Sequence, residues 1–203
     1  MIHRTISRQA LEMIAIRELK KYKNGSFLFD NPCAVPIEDM LENQYGLSVE
    51  FHQIRKSGSV LGQTVFEDSL TPIYDAEKGE YTLIEVTAGT IIADIRLLHP
   101  KCANRLRFTY AHELAHWLIH KEVFKANAES AALIRQGYGD DITERQADFL
   151  CAELLMPGRQ LKKAFYQART DLHNSESSIP YLAELFQVAA KTMEISLKQH
   201  NLI

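Results

Sequence analysis

The sequence predicts an α+β fold in which helices surround a small, mostly antiparallel sheet. Apolar residues recur at helical spacing before residue 46 and again after residue 100, whereas residues 47–98 contain segments in which apolar and polar side chains alternate. Glycine, proline and asparagine residues separate these segments. The expected order is therefore helices, then a meandering sheet, then more helices.

Length and composition indicate one domain, or one domain with a small appendage. A chain of 203 residues with 46% apolar side chains can bury a core without disulfide or metal support. Its three cysteines are scattered and form no C-x-x-C pair, which favours a reducing, cytoplasmic setting. No apolar run approaches the roughly 20 residues that span a bilayer, so no membrane partner is expected. The net charge of -3 gives no general attraction to nucleic acid.

Two helices are predicted before the sheet. The first, Ser7 to Tyr22, has apolar residues at helical spacing and is stopped by Asn24 and Gly25. A short second helix, Ile37 to Tyr45, ends at Gly46, because glycine readily adopts the left-handed backbone conformation that closes a helix.

The middle of the chain is predicted to form strands. The extended segments are Leu47–Ile54, Ser59–Phe66, Glu80–Val86 and Thr90–Leu98. Asp75 to Gly79 supplies turn residues before the third segment. The last segment leads directly into the next helix, and we expect it to be the sheet edge beside that helix.

Helical patterns return in the second half of the chain. They cover Arg107–His120, Ala126–Arg135, Thr143–Leu155 and Leu161–Ala168. A polar run, Asp171 to Ser178, is expected to separate a main domain at residues 1–170 from residues 171–203. That last part would hold two short helices, either as an appendage or packed into the same domain.

The helix Arg107 to His120 carries the strongest chemical signal, because His112, Glu113 and His116 form an H-E-x-x-H motif. Two residues four apart on a helix lie on one face, so both imidazoles can reach one metal ion. Glu113 projects on the same side, where its carboxylate could take a proton from an attacking water. The motif therefore predicts half of a metal site with its general base.

A catalytic zinc site needs a third protein ligand, and Glu144 is the candidate. Asp148 lies one helical turn further on and could accept a hydrogen bond from a ligating histidine, which would fix the tautomer of that histidine. The alternative is that Asp141 to Glu144 forms a helix capping box, in which Glu144 only satisfies backbone donors.

His120 and Cys151 also lie near these motifs. Three histidines on one helix would span about 12 Å, too far for all of them to bind one ion. His120 is therefore expected to be packed or to bridge to solvent. Cys151 is expected to be an ordinary buried thiol.

Two stretches resemble the ImmA/IrrE metallopeptidases, a family that processes repressors in bacteria and their mobile elements. These stretches are RFTYAHELAHWLIH at Arg107–His120 and ERQADFLCAELLMP at Glu144–Pro157. The resemblance implies a minimal gluzincin-like fold, with His112, His116 and Glu144 as metal ligands and Glu113 as the catalytic base. It implies Zn²⁺ as the cofactor, although another divalent ion such as Mn²⁺ would fit the same ligands.

The resemblance also implies a substrate, a helix-turn-helix transcriptional repressor cut in an exposed segment. The closing residues 181–203 are similar to the helix-turn-helix-like end of many members, but they have few basic residues and carry Ala189 where a turn serine is common. We therefore expect this end to pack or to dock substrate, and not to bind DNA directly.

Two other functions compete with a zinc endopeptidase. One is a non-proteolytic regulator that uses the fold for protein binding, and the other is a DNA-binding protein with a structural metal. The intact Glu113 argues against the first, and the acidic net charge argues against the second.

Tyr138, Arg145 and Tyr166 are candidate oxyanion stabilisers that the sequence does not rank. It does not predict the oligomeric state.

Overall fold

The computed structural model describes residues 5–25, 31–125, 141–172 and 178–203. The predicted helix Ala126–Arg135, Tyr138 and most of the predicted linker lie outside these residues. Within them, the α-helices are α1 Arg8–Lys21, α2 Ile37–Asp39, α3 Ala103–Lys125, α4 Asp141–Leu155, α5 Gly158–Leu172, α6 Ser178–Phe186 and α7 Ala190–Gln199. A π-helix, Met40–Gln44, continues α2 over most of the predicted second helix. The strands are β1 Ser48–His52, β2 Gly62–Thr64, β3 Ser69–Asp75, β4 Glu80–Val86 and β5 Thr90–Asp94. The fold class is α+β, as predicted.

The described strands form two small sheets. The first has the order β1-β5-β2, with β1 parallel and β2 antiparallel to the central β5. The second is the antiparallel hairpin β3–β4, whose turn ends at Gly79 with a positive φ of 72°. Two of the three strand pairings are therefore antiparallel. The strands β1 and β5 run parallel because the segment between them carries the chain back to the end of the sheet at which β1 begins.

The prediction of a last strand from Thr90 to Leu98 at the edge of the sheet is wrong in two respects, the length of the strand and its position in the sheet. Only Thr90–Asp94 is extended, because the side chain of Asp94 accepts a hydrogen bond from the backbone N–H of Arg96 and begins the 3₁₀ turn Ile95–Leu98. The strand β5 is also central and fully buried. The edge that lies beside α3 belongs to β2.

The sequence does not predict β3, because Pro72 interrupts the strand pattern of this segment. In the hairpin Pro72 lies opposite Leu83. A strand in a two-stranded sheet donates to its partner only from alternate residues, so a proline is tolerated at the other positions.

One main core joins most of the elements. The helix α3 packs against α4, and α4 also packs against α1. Apolar residues from α1, α2, β1, β5 and the helices from α3 to α7 contribute to this core. A smaller cluster between the sheets contains Ile54, Val65, Val86 and Ile92. None of the described helices combines the length and apolar character needed to cross a bilayer.

The C-terminal helices belong to the same core as the rest. Leu182 and Phe186 of α6 and Leu197 of α7 are fully buried in it. Between the two helices Gln187 adopts a positive φ of 53°, which makes the tight turn of the helix-turn-helix-like segment. The domain boundary near residue 170 stays a prediction.

Candidate metal centre

The helix α3 presents a polar face to a cleft and an apolar face to the core. Tyr110, Leu114 and Ala115 are buried in the main core on the apolar side. In its second turn the buried guanidinium of Arg107 donates to Glu38 Oε2 at 2.9 Å and to the carbonyl of Val35 at 2.6 Å. These contacts fix the helix against the segment that carries α2.

Three donor atoms converge where α3 and α4 meet. The Nε2 atoms of His112 and His116 lie 3.0 Å apart. The Glu144 carboxylate lies 3.3 Å from Nε2 of His112 and 3.6 Å from Nε2 of His116. Ligand atoms bound at about 2.0–2.1 Å in a tetrahedral site stand roughly 3.3 Å apart, so the three distances fit one ion. This donor set could hold a divalent metal.

The orientation of the Glu144 side chain is relevant to whether this residue is a metal ligand or a helix cap. Its carboxylate faces the two imidazoles across the gap between the helices. Partial burial raises the pKa of Glu144, but the hydrogen bonds from His112 and His116 outweigh it and hold that pKa well below its usual range. The carboxylate is therefore an anion aimed at the point where a cation would bind.

Asp148 supports His112 from the exposed side of the centre. Its Oδ1 lies 3.0 Å from Nδ1 of His112, and 61% of its side chain is exposed. Among the described residues that Nδ1 has no aligned hydrogen-bond partner, so the two groups are close but not in hydrogen-bond geometry. Burial lowers the pKa of His112, but the carboxylates of Asp148, Glu144 and Glu113 raise it to about 10.

His116 is supported differently, by a buried chain of hydrogen-bonded groups. Its Nδ1 lies 3.0 Å from Nδ1 of His120, and Nε2 of His120 lies 3.2 Å from Oε1 of Gln146. His120 is 2% exposed and Gln146 is 6% exposed. The expected packed state of His120 is correct, but bridging to solvent is wrong because the ring is buried. The sequence does not predict the contact of Gln146. Only the i,i+4 spacing from His116 to His120 indicates any part of this hydrogen-bonded chain.

Glu113 is held by the edge strand β2. The hydroxyl of Thr64 lies 2.7 Å from Oε2 of Glu113, to which it donates, and 3.0 Å from the carbonyl of the same residue. A Cβ added at Gly62 would lie 2.5 Å from Oε1 of Glu113 and 2.6 Å from Cγ2 of Thr109. Glycine is therefore needed here for close approach of the strand to the helix.

The cleft above these residues has a volume of about 270 Å³ and is bounded on one side by residues 59–63. A larger apolar groove of about 500 Å³ lies next to it, and Phe108 and Asp148 line both. Arg145 lines the groove, and Tyr166 lines neither and is 60% exposed. An oxyanion stabiliser would have to line the cleft, and neither Arg145 nor Tyr166 does so.

Comparisons with known proteins identify a family over more than half of the chain. A family model described as Peptidase_M78, the IrrE N-terminal-like domain, matches residues 78–198. No curated protein sequence matches the chain. Among solved structures, a Mycobacterium tuberculosis transcriptional regulator is similar at a TM-score of 0.47 and 15% identity. The match covers 91% of this chain but only 45% of that regulator, so the chain spans less than half of its length.

Proposed function

The chain belongs to the Peptidase_M78 family, and we propose that it is a zinc-dependent endopeptidase that cleaves a protein regulator. The observation that carries the proposal is the meeting of three donors from two helices, His112, His116 and Glu144, beside the carboxylate of Glu113. Two imidazoles and one carboxylate are the donor set of catalytic zinc sites, in which a fourth position stays open.

The three donors would hold the ion, and the remaining residues act around it. A divalent ion there would polarise the scissile carbonyl and make the attacking water more acidic. Mn²⁺ would suit the same donors less well, because imidazole favours zinc and manganese prefers oxygen ligands.

Glu113 is the proposed general base. Thr64 donates to Oε2 of its carboxylate, whereas Oε1 faces Gly62 at the wall of the cleft. Oε1 can therefore accept a proton from the attacking water and later return it to the amide nitrogen that leaves. A protein that only binds a partner would have no use for a carboxylate held in this way.

The edge strand β2 is the proposed site for backbone pairing with substrate. Leu61 accepts from the N–H of Asp94, and the N–H of Val65 donates to Thr90, so both turn their backbone groups toward β5. Because these groups alternate along a strand, those of Gly62 and of Thr64, two residues further on, face away from β5. An extended segment paired there would run past Glu113.

We propose a helix-turn-helix transcriptional repressor as the substrate, docked partly through the apolar groove. Backbone pairing alone reads few side chains, so a second contact is needed for selectivity. The groove adjoins the cleft, and Thr192, Ile195 and Ser196 of α7 form one of its walls. Ile195 is 46% exposed there, which suits an apolar contact with a folded partner.

Removing the C-terminal segment cannot test docking, because Phe186 and Leu197 belong to the main core. The substitution Ile195→Asp tests it instead, with Tyr181→Asp as the control, since Tyr181 is 51% exposed and lies outside the groove. We expect Ile195→Asp to slow cleavage of the folded repressor while cleavage of a short peptide spanning the cut site stays unchanged. Equal loss in both variants, or in both substrates, would contradict docking in the groove.

The catalytic proposal is tested by Glu113→Gln. This change should abolish peptide cleavage, because the amide cannot accept the proton, while zinc content stays close to one per chain. The matched control is Glu122→Gln, on the exposed side of the same helix. Cleavage is measured on regulators encoded beside this gene, and retained turnover in Glu113→Gln would overturn the assignment.

A further inference from the structure

A buried hydrogen-bonded chain runs from the back of His116 to α4. It passes from Nδ1 of His116 to Nδ1 of His120 at 3.0 Å, and from Nε2 of His120 to Oε1 of Gln146 at 3.2 Å. The metal-facing atom of His116 is the other ring nitrogen, Nε2. His120 and Gln146 therefore lie behind a ligand and do not face the ion.

The direction of this chain is fixed once His116 binds a metal. A neutral imidazole has one N–H donor and one acceptor nitrogen, and the nitrogen that binds metal must be the acceptor. With Nε2 of His116 on the ion, its Nδ1 carries the hydrogen and donates to Nδ1 of His120. Nε2 of His120 then carries the second hydrogen and donates to Gln146, whose amide oxygen can only accept.

Reversing the chain would block the site. If the amide of Gln146 were turned so that its NH₂ group donated to His120, the hydrogen of His120 would lie on Nδ1 and point at His116. His116 would then carry its own hydrogen on Nε2, where the ion must bind. The amide oxygen at the end of the chain thus selects the tautomer of both histidines.

We propose that His120 and Gln146 are positioning residues that set the tautomer and orientation of His116 as a metal ligand. This inference rests on the ligand assignment of the proposed function but not on the cleavage activity. Outer partners of ligating histidines fix tautomer and ring orientation in metal sites generally. Here the partner is a second histidine, which in turn donates to an uncharged amide.

Burial limits the access of water to the hydrogen-bonded chain. Both side chains are nearly inaccessible, and the ring of Phe124 packs at centroid distances of 6.4 Å from His116 and 5.8 Å from His120. At such low exposure, removing the Gln146 oxygen takes away a hydrogen-bond contact that helps to hold the His120 ring.

The test is a competitive zinc titration of purified protein against a chromophoric chelator. Gln146→Leu keeps most of the volume but removes the acceptor, whereas Gln146→Glu keeps an acceptor and, in its ionised form, cannot donate. We expect Gln146→Leu to weaken zinc affinity by about 10- to 100-fold, the usual range for such partners. Gln146→Glu should bind zinc as tightly as the unaltered protein or more tightly.

A second variant covers the case in which Gln146→Leu folds poorly. His120→Phe preserves the packing against Phe124 and should weaken zinc affinity by a similar factor. The double variant should be no weaker than either single variant, because each already breaks the chain. The unfolding midpoint of each metal-free variant, measured in parallel, separates loss of fold from loss of metal.

Two results would overturn the inference. One is unchanged zinc affinity in both Gln146→Leu and His120→Phe, and the other is equal weakening in Gln146→Leu and Gln146→Glu, which would indicate packing alone. Failure of the unaltered protein to bind zinc would overturn this inference together with the ligand assignment. Zinc binding that follows the expected pattern in a protein without cleavage activity would support the inference and count only against the proposed function.

Discussion

The two histidines of the H-E-x-x-H motif are supported in opposite ways. His112 has a charged partner, Asp148, whose side chain is 61% exposed and whose carboxylate is close but not aligned. His116 has an imidazole partner, His120, which is 2% exposed and is held in turn by Gln146. One side of the candidate centre therefore faces solvent and relies on charge, and the other is buried and relies on hydrogen-bond direction.

This difference shows how one helix can present two candidate ligands in unlike surroundings. An exposed carboxylate is screened by solvent and keeps much of its hydration, so a charge at that depth costs little. A buried carboxylate behind His116 would need full compensation for its desolvation, which a neutral amide does not. The chemistry of each support follows from the depth at which it lies.

The largest effect is expected for Glu144, whose carboxylate lies near both His112 and His116. Glu144→Ala should release the metal and abolish cleavage, because only two protein ligands would remain. Metal content by mass spectrometry and the free energy of unfolding are the measurements. Stoichiometric zinc, with a loss of about 1 kcal/mol in unfolding free energy, would favour the helix cap instead.

A smaller effect is expected on the exposed side. Asp148→Ala should weaken zinc affinity by about 10- to 100-fold in the same chelator titration. The matched variant Asp148→Asn keeps an oxygen that can accept from Nδ1 of His112 and loses only the charge. If the exposed support relies on charge, Asp148→Asn should lie closer to Asp148→Ala than to the unaltered protein. An asparagine variant that binds zinc normally would erase the contrast between the two sides.

The residues within one helix were predictable from spacing. The i,i+4 relation placed His112 and His116 on one face, and the same relation linked Glu144 to Asp148. The structure brings these four side chains together at the junction of two helices. Their roles as ligands and support stay predictions.

The contacts made between elements were not predictable. Thr64 and Gly62 meet Glu113 only because an edge strand crosses α3, and no local pattern marks that approach. The alternation that favoured a strand continued through Ile95, but the side-chain cap at Asp94 ended the strand first. Alternation also cannot distinguish a central strand from an edge strand, since it records burial and not hydrogen-bond partners.

The central claim, that two imidazoles and one carboxylate hold a single zinc ion, is tested most directly by X-ray absorption at the zinc edge. For protein loaded with one zinc per chain, we predict a first shell of nitrogen and oxygen at about 2.0–2.1 Å, with multiple scattering from two imidazoles. The imidazole count should stay at two in His120→Phe, whereas His116→Ala, which leaves only two protein ligands, should not retain stoichiometric zinc. A sulfur shell at about 2.3 Å, or a third imidazole that disappears in His120→Phe, would contradict the account.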